Sequence, residues 1–332
     1  MMAAERASRV VVTGGAGFIG SHTVEALVAD RYAVLVIDDL SHPCGAPLPR
    51  GVELVAADVG SEEAERALRA FRPDLVLHLA SKGGVERAGR DPSWHVRASV
   101  ASTVALFAIA VEAGARRLVT ASSGGALYGD APRLPVSERR PPAPRSVYGC
   151  GKLAEEGYLA MLGRLHGVET MALRYGNVYG PRQDGTGEAG VVAITCTRLL
   201  RDEEPVIFGD GGQSRDFVFV GDVVRANRAA LASRRSGVVN IGTGRDTTVR
   251  TLIEQLVRLH GGTSRLIYAP ARGSEVRRSC LDPGRAASWL GWSSGVSLAG
   301  GLAATLSSFA AQSLMRGDAG MVPRDAIASR RS

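Results

Sequence analysis

Tyr148 and Lys152 stand four residues apart at the head of a helical pattern, so a helix there places them on one face. A free phenol has a pKa of about 10, and only roughly one in a thousand is ionised at pH 7. An ammonium beneath it stabilises the phenolate, and a shift of about 3 units corresponds to about 4 kcal/mol, within reach of a partly buried site. Such a tyrosine can take a proton from a substrate hydroxyl while hydride leaves the adjoining carbon. A Tyr/Lys pair at this spacing is more often a solvated helix face. Lysine usage argues otherwise here: of 40 basic residues only Lys82 and Lys152 are lysines, which points to a need for a compact, tunable ammonium. Ser122 and Ser123 close a predicted strand at Leu118–Ala121, where one hydroxyl can hold the reacting hydroxyl in line and a plain Ser/Gly turn is the alternative.

These residues need a frame, and Val10–His22 (VVVTGGAGFIGSH) supplies its start. A β-branched run leads into Gly14, Gly17 and Gly20, and an apolar helical pattern follows at Phe18, Ile19, Val24 and Leu27. A strand, a Gly turn and a helix N-terminus in that order make a pyrophosphate site, in which backbone N–H groups approach the phosphates. The run Ala33–Ile37 ends in Asp38, about 20 residues past the loop, where an acid accepts hydrogen bonds from an adenosine ribose and repels a 2′-phosphate. NAD is therefore expected over NADP, with Asp39 able to share the role, Asp58 a candidate at the adenine end, and a nicotinamide cation adding to the field on Tyr148. Further strands are predicted at Val52–Ala57, Leu75–Leu79 and Thr170–Leu173, with helices at 61–69, 94–111 and 148–166. Alternation of this kind predicts an α/β fold, a Rossmann-type doubly wound parallel sheet. Past Gly180 the pattern loosens into a smaller C-terminal α/β substrate lobe, with a loop at 185–190, a helix at 191–200, a strand at 206–208 and helices at 249–259 and 285–290. The strands Val218–Val220 and Val238–Ile241 are expected to return to the main sheet around a helix at 223–232.

The expected organisation is a flexible N-terminus (1–8), an NAD-binding domain (9–179, rejoined by 217–244), a substrate lobe (180–216 and 245–311) and a disordered tail (312–332). With 332 residues, 45% hydrophobic and 22% charged, the chain reads as an ordinary globular protein. No apolar run reaches a membrane span, the start lacks the apolar core of a secretory signal, and a cytoplasmic location without membrane partners is expected. Four scattered cysteines (44, 150, 196 and 280) show no metal-type spacing, and no metal is expected. The net charge of +7 comes without a dense basic block, so it favours anionic small molecules and gives nucleic acid little support.

From Arg9 to Leu306 the chain resembles the extended short-chain dehydrogenase/reductase family, and within it the UDP-glucose 4-epimerase-like proteins. The resemblance rests on VTGGAGFIGSH, IDDLS at 37–41, HLAS at 78–81, SSGGALYG at 122–129, YGCGK at 148–152, LRYGNVYGPRQ at 173–183, FGDGGQSRDFVFVGDV at 208–223, NIGTG at 240–244 and RGSEVRRSCLD at 272–282. It implies that Tyr148 transfers the proton while Lys152 supports it and binds the nicotinamide ribose. The cofactor is implied to lie along Gly14, Gly17, Phe18, Ile19, Gly20, Asp38, Asp39, Ser41, Asp58 and Val59, then Leu79, Ala80, Lys82, Ser99 and Tyr175. On the substrate side Ser123, Gly124 and Val191 join Asn177, which holds the sugar or diphosphate, and Phe208, which stacks near uracil. Arg215 and Arg272 are the implied diphosphate clamps, Glu275 the acid on the uridine ribose, and Ser279 the residue limiting the sugar pocket.

The chain departs from the pattern at Gly124, where many relatives place Ser or Thr, so the hydroxyl role falls to Ser123 with Ser122 in reserve. Ser99 and Ser102 stand where an Asn and a Gly are usual. The dehydratases and uronate decarboxylases of the family carry an acid at the position of Ala126. Its absence leaves epimerisation at C4 of a UDP-hexose through a transient 4-keto sugar, with NAD tightly bound and regenerated each turn. Another nucleotide-sugar-modifying enzyme (a UDP-glucuronate 4-epimerase, or a dehydratase or reductase) is the alternative. A non-catalytic NAD-binding regulator would more often lack Tyr148 or Lys152. A homodimer through helices 94–111 and 148–166 is implied.

Overall fold

A computed structural model describes residues 8–185, 190–262, 264–271 and 276–316. The apolar runs form strands β1 (Arg9–Thr13), β2 (Ala33–Asp38), β3 (Glu53–Ala56), β4 (Leu75–His78), β5 (Arg117–Ser123), β6 (Glu169–Tyr175) and β11 (Gly237–Ile241). They make one parallel sheet in the order β11-β6-β5-β4-β1-β2-β3. The order reverses between β1 and β4, which opens a crevice at their carboxyl ends. The doubly wound architecture is as expected.

The runs lack alternation because both faces are covered. Val10 and Val12 pack with Val24 and Leu27 of α1 (Phe18–Ala29), Val223 and Ala226 of α9 (Val220–Ala232) and Ala286 of α11 (Gly284–Leu290). Val11 points the other way, into a core with Leu68 of α2 (Glu62–Phe71), Leu106 and Phe107 of α5 (Ser102–Glu112), and Leu159 and Leu162 of α7 (Val147–His166). A third core joins α8 (Val191–Leu200), α10 (Val249–His260) and α12 (Leu298–Arg316) to Ile207 of β8 (Val206–Phe208) and to Tyr179 and Phe217. Two short strand pairs lie in the same half of the chain, β8 with β13 (Ile267–Ala269) and β9 (Ser214–Arg215) with β12 (Thr247–Thr248).

Four details differ from expectation. Of the two strands expected to return, only β11 joins the main sheet; β10 (Phe217–Phe219) pairs instead with β7 (Asn177–Tyr179). Between β6 and β7 Gly176 lies close against the other chain segment, where a Cβ would stand 2.7 Å from the Asp216 carbonyl, and the two short strands run together from there. Helix α9 starts at Val220 rather than Val223. The expected tail begins too early, because Gln312–Arg316 continue α12, whose Leu302, Leu306 and Phe309 are buried in the third core; 317–332 lie outside the described residues. Finally, α4 (Pro92–His95), a π turn at Val96–Ala101 and α5 form one helical run, Pro92–Glu112, long and apolar enough to cross a membrane by length and composition. Its apolar face belongs to the core: Leu106, Phe107 and Ala110 are fully buried against the sheet.

Candidate functional site

The crevice is a cleft of about 720 Å³. Gly14, Gly17, Phe18, Ile19, Gly20, Asp38, Asp39, Ser41, Asp58, Val59, Leu79, Ala80, Lys82 and Ser99 all line it. Gly14 has φ of +69°, and a Cβ there would stand 2.7 Å from the Ala80 nitrogen; on Gly20 it would lie 2.0 Å from the Gly14 carbonyl. Only glycine lets the turn between β1 and α1 close on β4 and on itself. The backbone is thus bare where a phosphate would approach, at the N-terminus of α1, and the cradle fits a dinucleotide.

Asp38 is buried at the end of β2, and its carboxylate accepts from the Ala16 and Leu40 N–H groups, both at 2.9 Å. It therefore pins the glycine turn itself, a role its spacing alone does not reveal. Its oxygens keep further lone pairs for a ribose. Lys82 bridges Asp39 at 3.1 Å and Asp58, whose other oxygen accepts from Gly60 N–H at 2.8 Å. The Asp58 hydrogen bond is the main cause raising the Lys82 pKa, with Asp39 adding to it. Ser41 donates to Asp39 at 2.6 Å, and Ser99 accepts from Lys82 N–H at 3.4 Å while itself buried.

Helix α7 begins at Val147, capped by Ser146, so Tyr148 and Lys152 occupy its first turns on one face. The glycines of YGCGK let it come close: a Cβ on Gly149 would lie 2.8 Å from the Ala126 carbonyl, and one on Gly151 would lie 2.5 Å from His95 Nε2. Lys152 is buried and donates to Glu155 at 2.9 Å. Burial alone would lower its pKa, but the Glu155 carboxylate and the Tyr148 phenol hold it up as an ammonium. For Tyr148 burial acts first and pushes the phenol upward, Lys152 opposes it and Glu155 adds to it. The phenol of the protein alone thus lies above its ordinary value, opposite to the direction expected from the Tyr/Lys spacing, because desolvation outweighs the ammonium.

The two serines have different fates. Ser122 is buried and donates to Glu156 Oε1 at 2.6 Å; Arg174 donates to the same carboxylate at 2.9 and 2.6 Å and to the Tyr128 hydroxyl at 2.7 Å, and Tyr128 donates to Asn240 at 2.8 Å. Ser123 points to the opposite face of β5 and is half-buried. It occupies the N-cap of α6 (Gly124–Leu127) without a side-chain cap bond. Gly124 has no room for a side chain, since a Cβ would lie 2.5 Å from the buried Leu281. That contact explains the missing hydroxyl at 124.

On the substrate side, a Cβ on Gly125 would stand 3.5 Å from Asn177 Oδ1 and 3.9 Å from Ser279 Oγ, so these two side chains meet at Gly125, two residues after Ser123. Asn177 is exposed on β7, Phe208 partly exposed at the end of β8, and Arg215 half-buried on β9, where it donates to the Ser214 carbonyl at 2.9 Å. Val191 opens α8. Arg272 and Glu275 lie outside the described residues, as do 186–189 of the loop before α8. Tyr175 does not line the cleft: it is buried, with its hydroxyl donating to Asn227 at 2.5 Å. Tyr148 and Lys152 also lie off the cleft lining. Missed at the sequence level were Arg182, Gln183 and Phe309 at the cleft wall, together with His95 and Glu155 behind Tyr148. The distance of each in sequence left no spacing to read, except for Glu155, whose place three after Lys152 on a helix was a usable signal.

The comparisons agree with this geometry. The profile of the NAD dependent epimerase/dehydratase family matches residues 10–242. A UDP-glucose 4-epimerase of Mycolicibacterium smegmatis is 41% identical over 310 residues, covering 91% of this chain and 98% of that protein. The structure of a UDP-glucose 4-epimerase with UDP-glucose from Thermotoga maritima superposes with a TM-score of 0.89 at 42% identity, covering 92% of this chain and 99% of that one. A Thermus thermophilus UDP-glucose 4-epimerase in complex with NAD does so with a TM-score of 0.86 at 39% identity, covering 91% and 98%. The chain belongs to the NAD dependent epimerase/dehydratase family, within the extended short-chain dehydrogenase/reductases, and among them to the UDP-glucose 4-epimerase-like enzymes.

Proposed function

We propose that the protein is an NAD-dependent 4-epimerase of UDP-hexoses of the UDP-glucose/UDP-galactose kind, with room for N-acetylated sugars. The carrying observation is the Tyr148–Lys152 pair in the first turns of α7, beside a glycine cradle at the carboxyl edge of a parallel sheet. NAD is assigned to Gly14, Gly17 and Gly20 at its phosphates, to Asp38 at the adenosine ribose, and to Lys152 at the nicotinamide ribose. When bound, it supplies the reversible hydride acceptor that lets C4 of the sugar pass through a ketone.

The chain's own part is the proton. Tyr148 takes it from O4 of one epimer and gives it back to the other, with Ser123 holding O4 in line. Burial raises the phenol in the protein alone, so its base form depends on the Lys152 ammonium and would gain from the cationic nicotinamide of bound NAD. The tyrosinate then accepts the O4 proton and, as the phenol, returns it to the other face's alkoxide. Asn177 is assigned to the sugar and diphosphate, Phe208 to the uracil face, Arg215 with Arg272 to the diphosphate and Glu275 to the uridine ribose. Two guanidinium groups suit a diphosphate through bidentate, charge-assisted bonds. Ser279 is small and buried and stands with Asn177 near Gly125, and a small residue there suits a 2-acetamido sugar.

The test is purified protein offered UDP-galactose, UDP-GlcNAc, UDP-glucuronate and dTDP-glucose, with products read by NMR. The C4 epimer of UDP-galactose is expected with no net NADH consumed, and a released keto- or deoxy-sugar would refute the reading. Tyr148→Phe is expected to lose activity by at least about 10²-fold; near wild-type turnover would refute the proton-transfer role. A homodimer is part of the same proposal: Tyr158, Met161 and Leu165 form an exposed apolar stripe along α7, at 47%, 38% and 68% exposure. Light scattering tests it, with a monomer mass as the opposing result.

A further inference from the structure

More charge is buried behind Tyr148 than a Tyr–Lys pair requires. Glu155 is 1% exposed; one oxygen accepts from Lys152 at 2.9 Å and the other has no hydrogen-bond partner. His95, also 1% exposed, packs its ring 6.2 Å from that of Tyr148 and against the bare Cα of Gly151. Its ring nitrogens make no close hydrogen bond, and the Lys82 backbone is the polar group that favours its charged form. Unpartnered buried polar atoms are costly. The anchoring of α7 does not account for them, since the next residue, Glu156, already ties the helix to Arg174 and Ser122.

We propose that Glu155 is a positioning residue for the acid–base pair. It fixes the Lys152 ammonium and, with His95 as an uncharged wall beside the phenol, limits how far that ammonium favours the tyrosinate. The inference rests on the reading of Tyr148 as the proton-transfer group. The titratable groups facing the pair are Lys152, Glu155 and Glu156 from α7, His95 from α4 and His78 from β4. Burial holds both histidines below the usual histidine range, so neither adds a cation near neutral pH. The field on the phenol is then set by one ammonium against its carboxylates. Epimerisation needs the phenol to give its proton back as readily as it took it, so where a bound nicotinamide cation would add to the ammonium, a carboxylate is needed to offset part of their joint pull on the tyrosinate.

The experiment is an ultraviolet tyrosinate titration of the purified protein, with Tyr148→Phe identifying the signal of that residue. Glu155→Gln is expected to move the Tyr148 titration down by about 1 pH unit. The acid limb of the pH–kcat profile should move the same way, and Glu155→Asp should leave the titration in place. An unmoved or upward-moving titration in Glu155→Gln overturns the proposal, because a merely structural carboxylate would change stability alone. The double variant Lys152→Met with Glu155→Gln removes both charges of the pair, and its Tyr148 should titrate above that of Glu155→Gln. Equal values would show that the ammonium is not what Glu155 restrains. The titration needs no turnover, so an active Tyr148→Phe enzyme would sink the acid–base reading and an unmoved titration this proposal.

Discussion

Alanine at each of the two adjacent serines should split stability from catalysis. Ser122 is 5% exposed and gives its proton to Glu156 at 2.6 Å, while Arg174 supplies that carboxylate with two further bonds. A hydrogen bond to a charged group contributes about 1.5–3 kcal/mol. Because Arg174 remains, Ser122→Ala is expected at the low end, about 1.5 kcal/mol. At about 2 °C per kcal/mol for a chain of this size, Tm falls by about 3 °C. Its kcat well below Tm should be within about twofold of wild type, since the hydroxyl faces away from the cleft. Ser123→Ala should do the reverse. It makes no cap bond to α6, so Tm moves by less than about 1 °C. Loss of a donor aimed at the reacting oxygen costs about 10²-fold in kcat, or about 2.7 kcal/mol. The assays are thermal melts and turnover of UDP-galactose. A 10²-fold loss of kcat in Ser122→Ala with Ser123→Ala near wild type would refute the assignment.

Other predictions follow from single contacts. His78 is buried between the Thr13 and Thr103 hydroxyls, and burial lowers its pKa to about 3. The unfolded chain then binds a proton that the folded one refuses between pH 6.5 and about 3, so this contribution to stability is full above pH 6.5 and falls with pH. At pH 5 the loss is about 2 kcal/mol; His78→Gln should flatten that slope in denaturant titrations, and an unchanged slope would count against it. Gly14→Ala puts a methyl 2.7 Å from the Ala80 nitrogen at a positive φ, and the purified variant should retain far less NAD through gel filtration than wild type. Ser279→Tyr should reduce kcat/KM for UDP-GlcNAc on the order of tenfold or more relative to UDP-galactose; equal losses for both would remove Ser279 from the sugar pocket.

What could be read in the residues were features carried by neighbours. Val10 to Gly20 and Ala33 to Asp38 are continuous segments whose periodicity and end residues declare a buried strand, a turn and an acid, and the cleft lining follows from them. Tyr148 and Lys152 were legible because a helix brings residues four apart together. Contacts across the chain were not. Nothing near Ser122 announces Arg174, 52 positions away, so the choice between the serines waited on the pairing of β5 with β6. The segment 217–219 reads as a sheet strand because it is apolar, yet its partner is 177–179, reached through the close approach of Gly176 to Asp216. In the protein alone the direction of the Tyr148 shift is set by burial, which spacing does not show because it depends on Gly149 and Gly151 drawing the helix inward.

The π turn at Val96–Ala101 sets how this segment can change by insertion and deletion. Its ring is one residue wider than an α turn, and the Ser102 hydroxyl donates across it to the Arg97 carbonyl, five residues back, at 3.2 Å. Removing one residue there would restore a regular helix with every backbone bond intact, so the fold would tolerate it. All residues before the deletion would turn by about 100° relative to Leu106 and Phe107. His95 would leave the side of Tyr148, and with it would go one wall of the acid–base pair. A shortened chain of this kind should therefore fold and hold NAD while its proton chemistry is detuned, which makes chain length in this one turn a dial on activity that is separate from stability.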